Sequence, residues 1–250
     1  MKQLITIILI FQTLMLNAQI FEGKLTYKLE YRLDSVTLKK FNFSEKLSKT
    51  FYQPKRYNDK IIYHLKDSMY QRNGYEKETF QTIYHSKANS LYEFFKTQKG
   101  NQKRVRIIDT KIKFGTGETA SGNVIPATIN LVDSTKTING IKCKLITVDL
   151  GKLGKEEYWF NSDTLRVNSQ AFSNHNYEYL NRILNISGSF PIQMVKITDN
   201  FCKMTLTLEK VEEYIIPEDK FKIPELEEMK DKEAREFNKL RKGINVMDVK

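Results

Sequence analysis

The chain has 250 residues, of which 40% are hydrophobic and 12% aromatic, enough to build a sizeable core and to exclude a disordered polymer. It carries 41 Lys and Arg against 30 Asp and Glu, a net charge of +11. The lysines are spread over nearly every predicted strand as solvated faces, which argues against nucleic acid as a partner.

The first predicted element is a leader. Met1-Lys2-Gln3 precedes an almost unbroken apolar run from Leu4 to Leu16, and Asn17-Ala18-Gln19 follows. A positive start, a short apolar run and a small residue before a polar one describe a secretory signal peptide cleaved after Ala18. The run is shorter than the about 20 apolar residues of a spanning helix. Removing Lys2 with the leader lowers the net charge from +11 to +10. The expected location is the periplasm or the extracellular space. No cysteine follows the apolar run, so a lipoprotein anchor is not expected.

Next comes a period-2 segment. Leu25, Tyr27, Leu29, Tyr31 and Leu33 fall on one face; Lys24, Thr26, Lys28, Glu30 and Arg32 fall on the other. This predicts a long half-buried strand, with Val36 to Phe43 as its hairpin partner after a turn at Asp34-Ser35. Lys60 to Tyr70 reads as a strand closed by Arg72-Asn73-Gly74, since Asn-Gly is a strong hairpin signal. Strands follow at 79–85, 91–97 and 105–112, with turns at 86–89 and 99–101, the rhythm of an antiparallel meander. Residues 115–123 read as a polar loop without the Gly-Lys-Ser/Thr ending of a phosphate loop.

Strands resume at 129–136, 141–150, 156–160 and 164–168, with turns at Asn139-Gly140 and 151–154. A helix is predicted near Tyr177 to Leu184, ended by Ser187-Gly188. Pro191 to Thr198 and Phe201 to Tyr214 form a last hairpin, and the domain, spanning 19–224, closes at Phe221-Lys222-Ile223-Pro224. Residues 225–250 are dense in alternating charge and read as a charged C-terminal helix or tail. The predicted fold class is mainly β: a curved antiparallel sheet with one or two helices packed on it.

The chemistry-bearing residues are few. His64, His85 and His175 have no partner at metal-ligand spacing, so no metal is expected. No G-x-S-x-G pattern occurs, so neither an enzyme nor a cofactor is expected. Cys143 and Cys202 are the only cysteines; an oxidising compartment permits a disulfide between them, and two free thiols are the alternative. Aromatic residues crowd the predicted strands: Tyr63, Tyr70, Tyr84, Tyr92, Phe94, Phe95, Tyr158, Trp159 and Phe160. They either line a concave groove suited to acyl chains or simply pack the sheet.

Three stretches carry a resemblance. They are Asp133 to Lys144 (DSTKTINGIKCK) with Glu156 to Phe160 (EEYWF), Ser187 to Ile192 (SGSFPI), and Phe221 to Pro224 (FKIP). Together, over roughly residues 20–224, the chain resembles exported Bacteroidota proteins of the GLPGLI and DUF4412 type, which are similar to the periplasmic lipoprotein carriers LolA and LolB. The resemblance implies an incomplete barrel with helices plugging its concave face, and structural roles for Gly140, Cys143, Trp159 and Pro191. It favours the groove reading, with Tyr63, Tyr84, Tyr92, Phe94 and Trp159 as candidate lining residues. The expected function is an exported, non-enzymatic binding protein for a lipid, acyl chain or other hydrophobic ligand, with peripheral membrane contact through its basic face. The alternative is a structural module docking an envelope protein partner through its charged C-terminal helix.

Overall fold

Strict alternation at the head of the chain produces the central strand of the molecule. In the computed structural model, which describes residues 20–40, 42, 44–47, 57–75, 79–96, 103–114, 124–198 and 202–229, strand β1 (Gly23–Leu33) is antiparallel to β2 (Lys60–Lys66) on one side and to β11 (Cys202–Glu213) on the other. Leu25, Tyr27, Leu29 and Tyr31 are at most 8% exposed, while Lys28, Glu30 and Arg32 face solvent. The leader 1–18, the loop 115–123 and residues 230–250 of the charged tail lie outside the described residues.

Two meanders grow outward from β1. One runs through β2, β3 (Met69–Arg72), β4 (Thr79–His85), β5 (Ser90–Lys96) and β6 (Lys103–Asp109). The other runs through β7 (Thr128–Ile138), β8 (Ile141–Asp149), β9 (Lys155–Phe160), β10 (Gln193–Thr198) and β11. With β12 (Glu227–Glu228) they form one open sheet in the order β12-β6-β5-β4-β3-β2-β1-β11-β10-β9-β8-β7. Mainly antiparallel, open and poor in helix, this is the predicted fold class.

Several local expectations change. Val36 does not begin a hairpin partner, because Asp34 Oδ1 accepts the Thr37 N–H at 2.6 Å and so caps a helix, α1 (Ser35–Lys40). A second short helix, α2 (Glu45–Leu47), follows. The long strand expected over 60–70 is two strands joined at Asp67-Ser68, where Asp67 takes φ 46°. Asn73 does not make the hairpin turn; its side chain extends the ladder instead, accepting from the Ile62 N–H (2.6 Å) and donating to the Lys60 carbonyl (2.9 Å). At the other end of the sheet Asn139 and Gly140, at φ 48° and 81°, do make the expected tight turn. Asn139 Nδ2 then donates to the Leu208 carbonyl at 2.7 Å, tying that turn to β11.

Residues 161–192 form a crossing segment over one face of the sheet. The strand expected at 164–168 is only a single bridge, Arg166 to Ser189, with Leu165 O accepting from the Phe190 N–H and Gly188 O from the Val167 N–H. Helix α3 (Leu180–Ser187) starts three residues later than expected and ends on Gly188 in the left-handed region. Phe172, Tyr179, Ile183, Leu184 and Phe190 of this segment fill the sheet's hollow against Tyr27, Ile61, Tyr84, Ile146 and Leu206.

A second, smaller core lies on the opposite face. Ile83, Phe94 and Val105 pack there under Ile216 and Phe221. The His85 ring bonds the Phe221 carbonyl at 2.7 Å, and Lys66 Nζ donates to the Ile216 carbonyl at 2.9 Å. The chain then reaches β6 and pairs with it in parallel as β12. The expected charged helix or tail therefore begins extended at Glu227–Glu228, because the β6 edge offers these residues backbone partners.

Candidate functional site

Where the crossing segment meets β3 and β10, the apolar filling gives way to a chamber of about 40 Å³. That volume holds a few water-sized groups at most. The walls come from both layers. Tyr63, Tyr70, Arg72, Tyr75 and Tyr158 rise from the sheet and its loops; His175, Tyr177, Glu178, Leu180 and Phe190 descend from the crossing segment; Met194 and Lys196 close one side on β10.

Charges here are arranged as a chain. Lys196 Nζ stands 2.9 Å from Glu178 Oε2 and 3.4 Å from Glu156 Oε1, and the Tyr158 hydroxyl donates to Glu156 Oε2. Burial works against the Lys196 ammonium, but Glu156 and Glu178 outweigh it and hold its pKa well above the ordinary lysine value. Burial likewise opposes ionised Glu178, yet Lys196 and Arg72 keep its pKa below the usual carboxylate range. On β5 and β6, Glu93 pairs with Arg106 at 3.5 Å; burial still raises the Glu93 pKa.

Arg72 is the member without an ion pair among the described residues. It is 8% exposed, its Nη1 donates to the Asn73 carbonyl at 3.3 Å, and its guanidinium lies 4.2 Å from the Tyr75 ring centroid. Nearby, the Tyr63 and Tyr75 hydroxyls share a hydrogen bond of 3.3 Å. Burial pushes the hydroxyls of Tyr63, Tyr70, Tyr158 and Tyr177 up, so they stay protonated and act as donors.

His175 sits beneath this group. It is 1% exposed, bonded through Nε2 to the Tyr70 hydroxyl at 2.9 Å and packed on Tyr84. Burial lowers its pKa to about 4, so the ring is neutral at pH 7. Asn181 fixes this loop: its N–H donates to the His175 carbonyl at 2.9 Å and its Nδ2 to Asn176 Oδ1 at 2.8 Å. Glu178 and Tyr179 follow at φ 53° and 57°, two consecutive non-glycine residues in the left-handed region. Such strain is held only where surroundings over-determine it; here it delivers Glu178 to Lys196.

The five aromatic residues expected to share a groove do not share one. Tyr63 lines the chamber, and Tyr84 is fully buried behind it against Phe172 and His175. Tyr92 and Phe94 belong to the opposite face with Ile83 and Phe221, because alternation sends them away from Leu91 and Glu93. Trp159 also points away from the chamber, under Lys136 Nζ at 5.2 Å, in a surface groove with Glu157, Gln193 and Thr205. Cys143 and Cys202 form no disulfide; they lie on β8 and β11 with two strands between them, about 14 Å at the usual strand spacing. That is beyond disulfide reach. Among the described residues no group of three or more His, Cys, Asp or Glu is placed to hold a metal ion, and no helix is long and apolar enough to cross a membrane.

Sequence reasoning passed over Arg72, Glu178 and Lys196. A signal for two of them exists: Arg72 is in phase with buried Tyr70, and Lys196 with buried Met194. A charge on the inward phase of a strand marks a buried polar group.

No protein-family model and no curated protein matches the chain. Two crystal structures of PNGF-II, in space groups P21 and C2, are similar to it. The first gives a TM-score of 0.45 at 9% identity over 86% of this chain and 32% of that one. The second gives 0.46 at 10% identity over 92% and 33%. The chain thus spans about a third of the length of those proteins.

Proposed function

We propose that this protein is an exported, non-enzymatic binding protein that holds a compact ligand in the chamber between the curved sheet and the crossing segment. One observation carries the reading: tyrosine walls and charged groups from both layers converge on a small space that the apolar core leaves open. An apolar enclosure with a few convergent polar groups is the ordinary form of a small-molecule site. The leader-like first eighteen residues support export, and the resemblance to DUF4412-type proteins and the LolA and LolB carriers supports a ligand between sheet and helix. The hollow of the sheet is already filled by Phe172, Ile183, Leu184 and Phe190, so the ligand is compact rather than a long acyl chain.

The test is mass spectrometry of small molecules extracted from natively purified protein, compared with Leu180→Trp, which fills the chamber from α3. A compound present near one per chain in the wild type and absent from a folded Leu180→Trp supports the reading. No compound, or equal recovery from both, contradicts it.

A further inference from the structure

We infer that Arg72 is the anchor of the site and that its ligand is a small carboxylic acid of a few heavy atoms. The inference rests on the chamber being a binding site and adds the chemistry of what it recognises.

A guanidinium has five N–H donors in a fixed fork. Arg72 makes one long hydrogen bond, 3.3 Å to the Asn73 carbonyl, and its flat face is covered by Tyr75. It is nine-tenths buried, and burying a cation is costly unless partners satisfy it. The surrounding charges balance: Arg72, Arg106 and Lys196 face Glu93, Glu156 and Glu178. Yet the pairing is uneven. Arg106 pairs with Glu93, and Lys196 with both Glu156 and Glu178, each within 3.5 Å. Arg72 forms no ion pair with a carboxylate among the described residues and faces the chamber.

The missing partner has a definite form. Arg72 needs an acceptor that meets two parallel N–H groups, and a carboxylate does so in a bidentate fork. A chamber of about 40 Å³ admits a three-atom carboxylate. Tyr63 and Tyr75 add to the recognition. Their mutual bond uses one hydroxyl proton and leaves the other free to turn to the same acceptor. The aromatic walls then suit a methyl-sized apolar end.

The test compares acetate with acetamide, which has the same size and no charge. Binding is followed by NMR titration of the full chain in wild type and in Arg72→Lys, which keeps the cation and removes the fork. The expected result is at least a tenfold preference for acetate in the wild type, an acetate-dependent shift of the Arg72 Nε–H signal, and at least a tenfold loss of acetate affinity in Arg72→Lys with acetamide unchanged. Equal binding of both probes overturns the anchor and leaves the chamber as a site. Binding of neither overturns the anchor, and overturns the chamber too if no compound is extracted. If Arg72→Lys does not fold, the wild-type preference and the Arg72 signal decide: no preference or no shift overturns the inference.

Discussion

The buried His175 gives the protein a defined acid sensitivity. An unfolded chain holds its histidine at the ordinary pKa of 6.5, while the folded ring is pushed down to about 4. Between those values the unfolded state binds the extra proton, so stability is full above the unfolded pKa and drains as pH falls towards the folded one. The whole gap is worth about 3 kcal/mol at 1.36 kcal/mol per unit, and about 2 kcal/mol of it is lost between pH 7 and pH 4.5. Two neighbours titrate as well. Glu178, with its pKa lowered, loses stability only below the ordinary carboxylate value, whereas Glu93, with its pKa raised, becomes relatively more favourable as pH falls. The His175→Gln variant isolates the ring, because a glutamine can bond Tyr70 without titrating. Urea unfolding followed by the fluorescence of the single tryptophan, Trp159, is the assay. The wild type is expected to lose about 2 kcal/mol more than His175→Gln between pH 7 and pH 4.5. Parallel losses in the two proteins refute the placement of His175 as a buried neutral ring.

Lys196→Met leaves Glu156 and Glu178 without their shared cation, and urea unfolding is expected to show a loss of about 3 kcal/mol or more. Gly154 sits at φ 117°, and a Cβ there would stand 1.9 Å from the Ile197 carbonyl oxygen; Gly154→Ala is expected to cost about 3 kcal/mol by the same assay. Asp34→Ala removes the cap of α1 and is expected to cost about 1 kcal/mol, a shift of a few degrees in a calorimetric Tm.

The sheet was legible because alternation is a local signal. In β1 and β11 the apolar phase names most of the buried face. Local signals misled where one residue type serves two ends. Asp34-Ser35 reads equally as a turn or as the start of a helix, and only the Thr37 amide decides. Asn73-Gly74 reads as a hairpin, but Asp67-Ser68 makes the tighter turn and leaves Asn73 to bridge β2. The groove failed for a parity reason: Phe94 and Trp159 follow Glu93 and Tyr158, so they must point the other way. The site itself depends on pairings far apart in sequence, such as Lys196 with Glu156, and on two left-handed residues at 178 and 179 that no propensity foretells. Its one local trace was the inward phase of Arg72, Glu93, Glu156 and Lys196.

The most direct test is a crystal structure of the protein purified natively and never denatured or dialysed against acid. The account predicts density for a compact molecule between sheet and crossing segment, with two oxygens within hydrogen-bond distance of the Arg72 guanidinium. An empty chamber, or a long chain lying where Phe172 and Phe190 now pack, contradicts it.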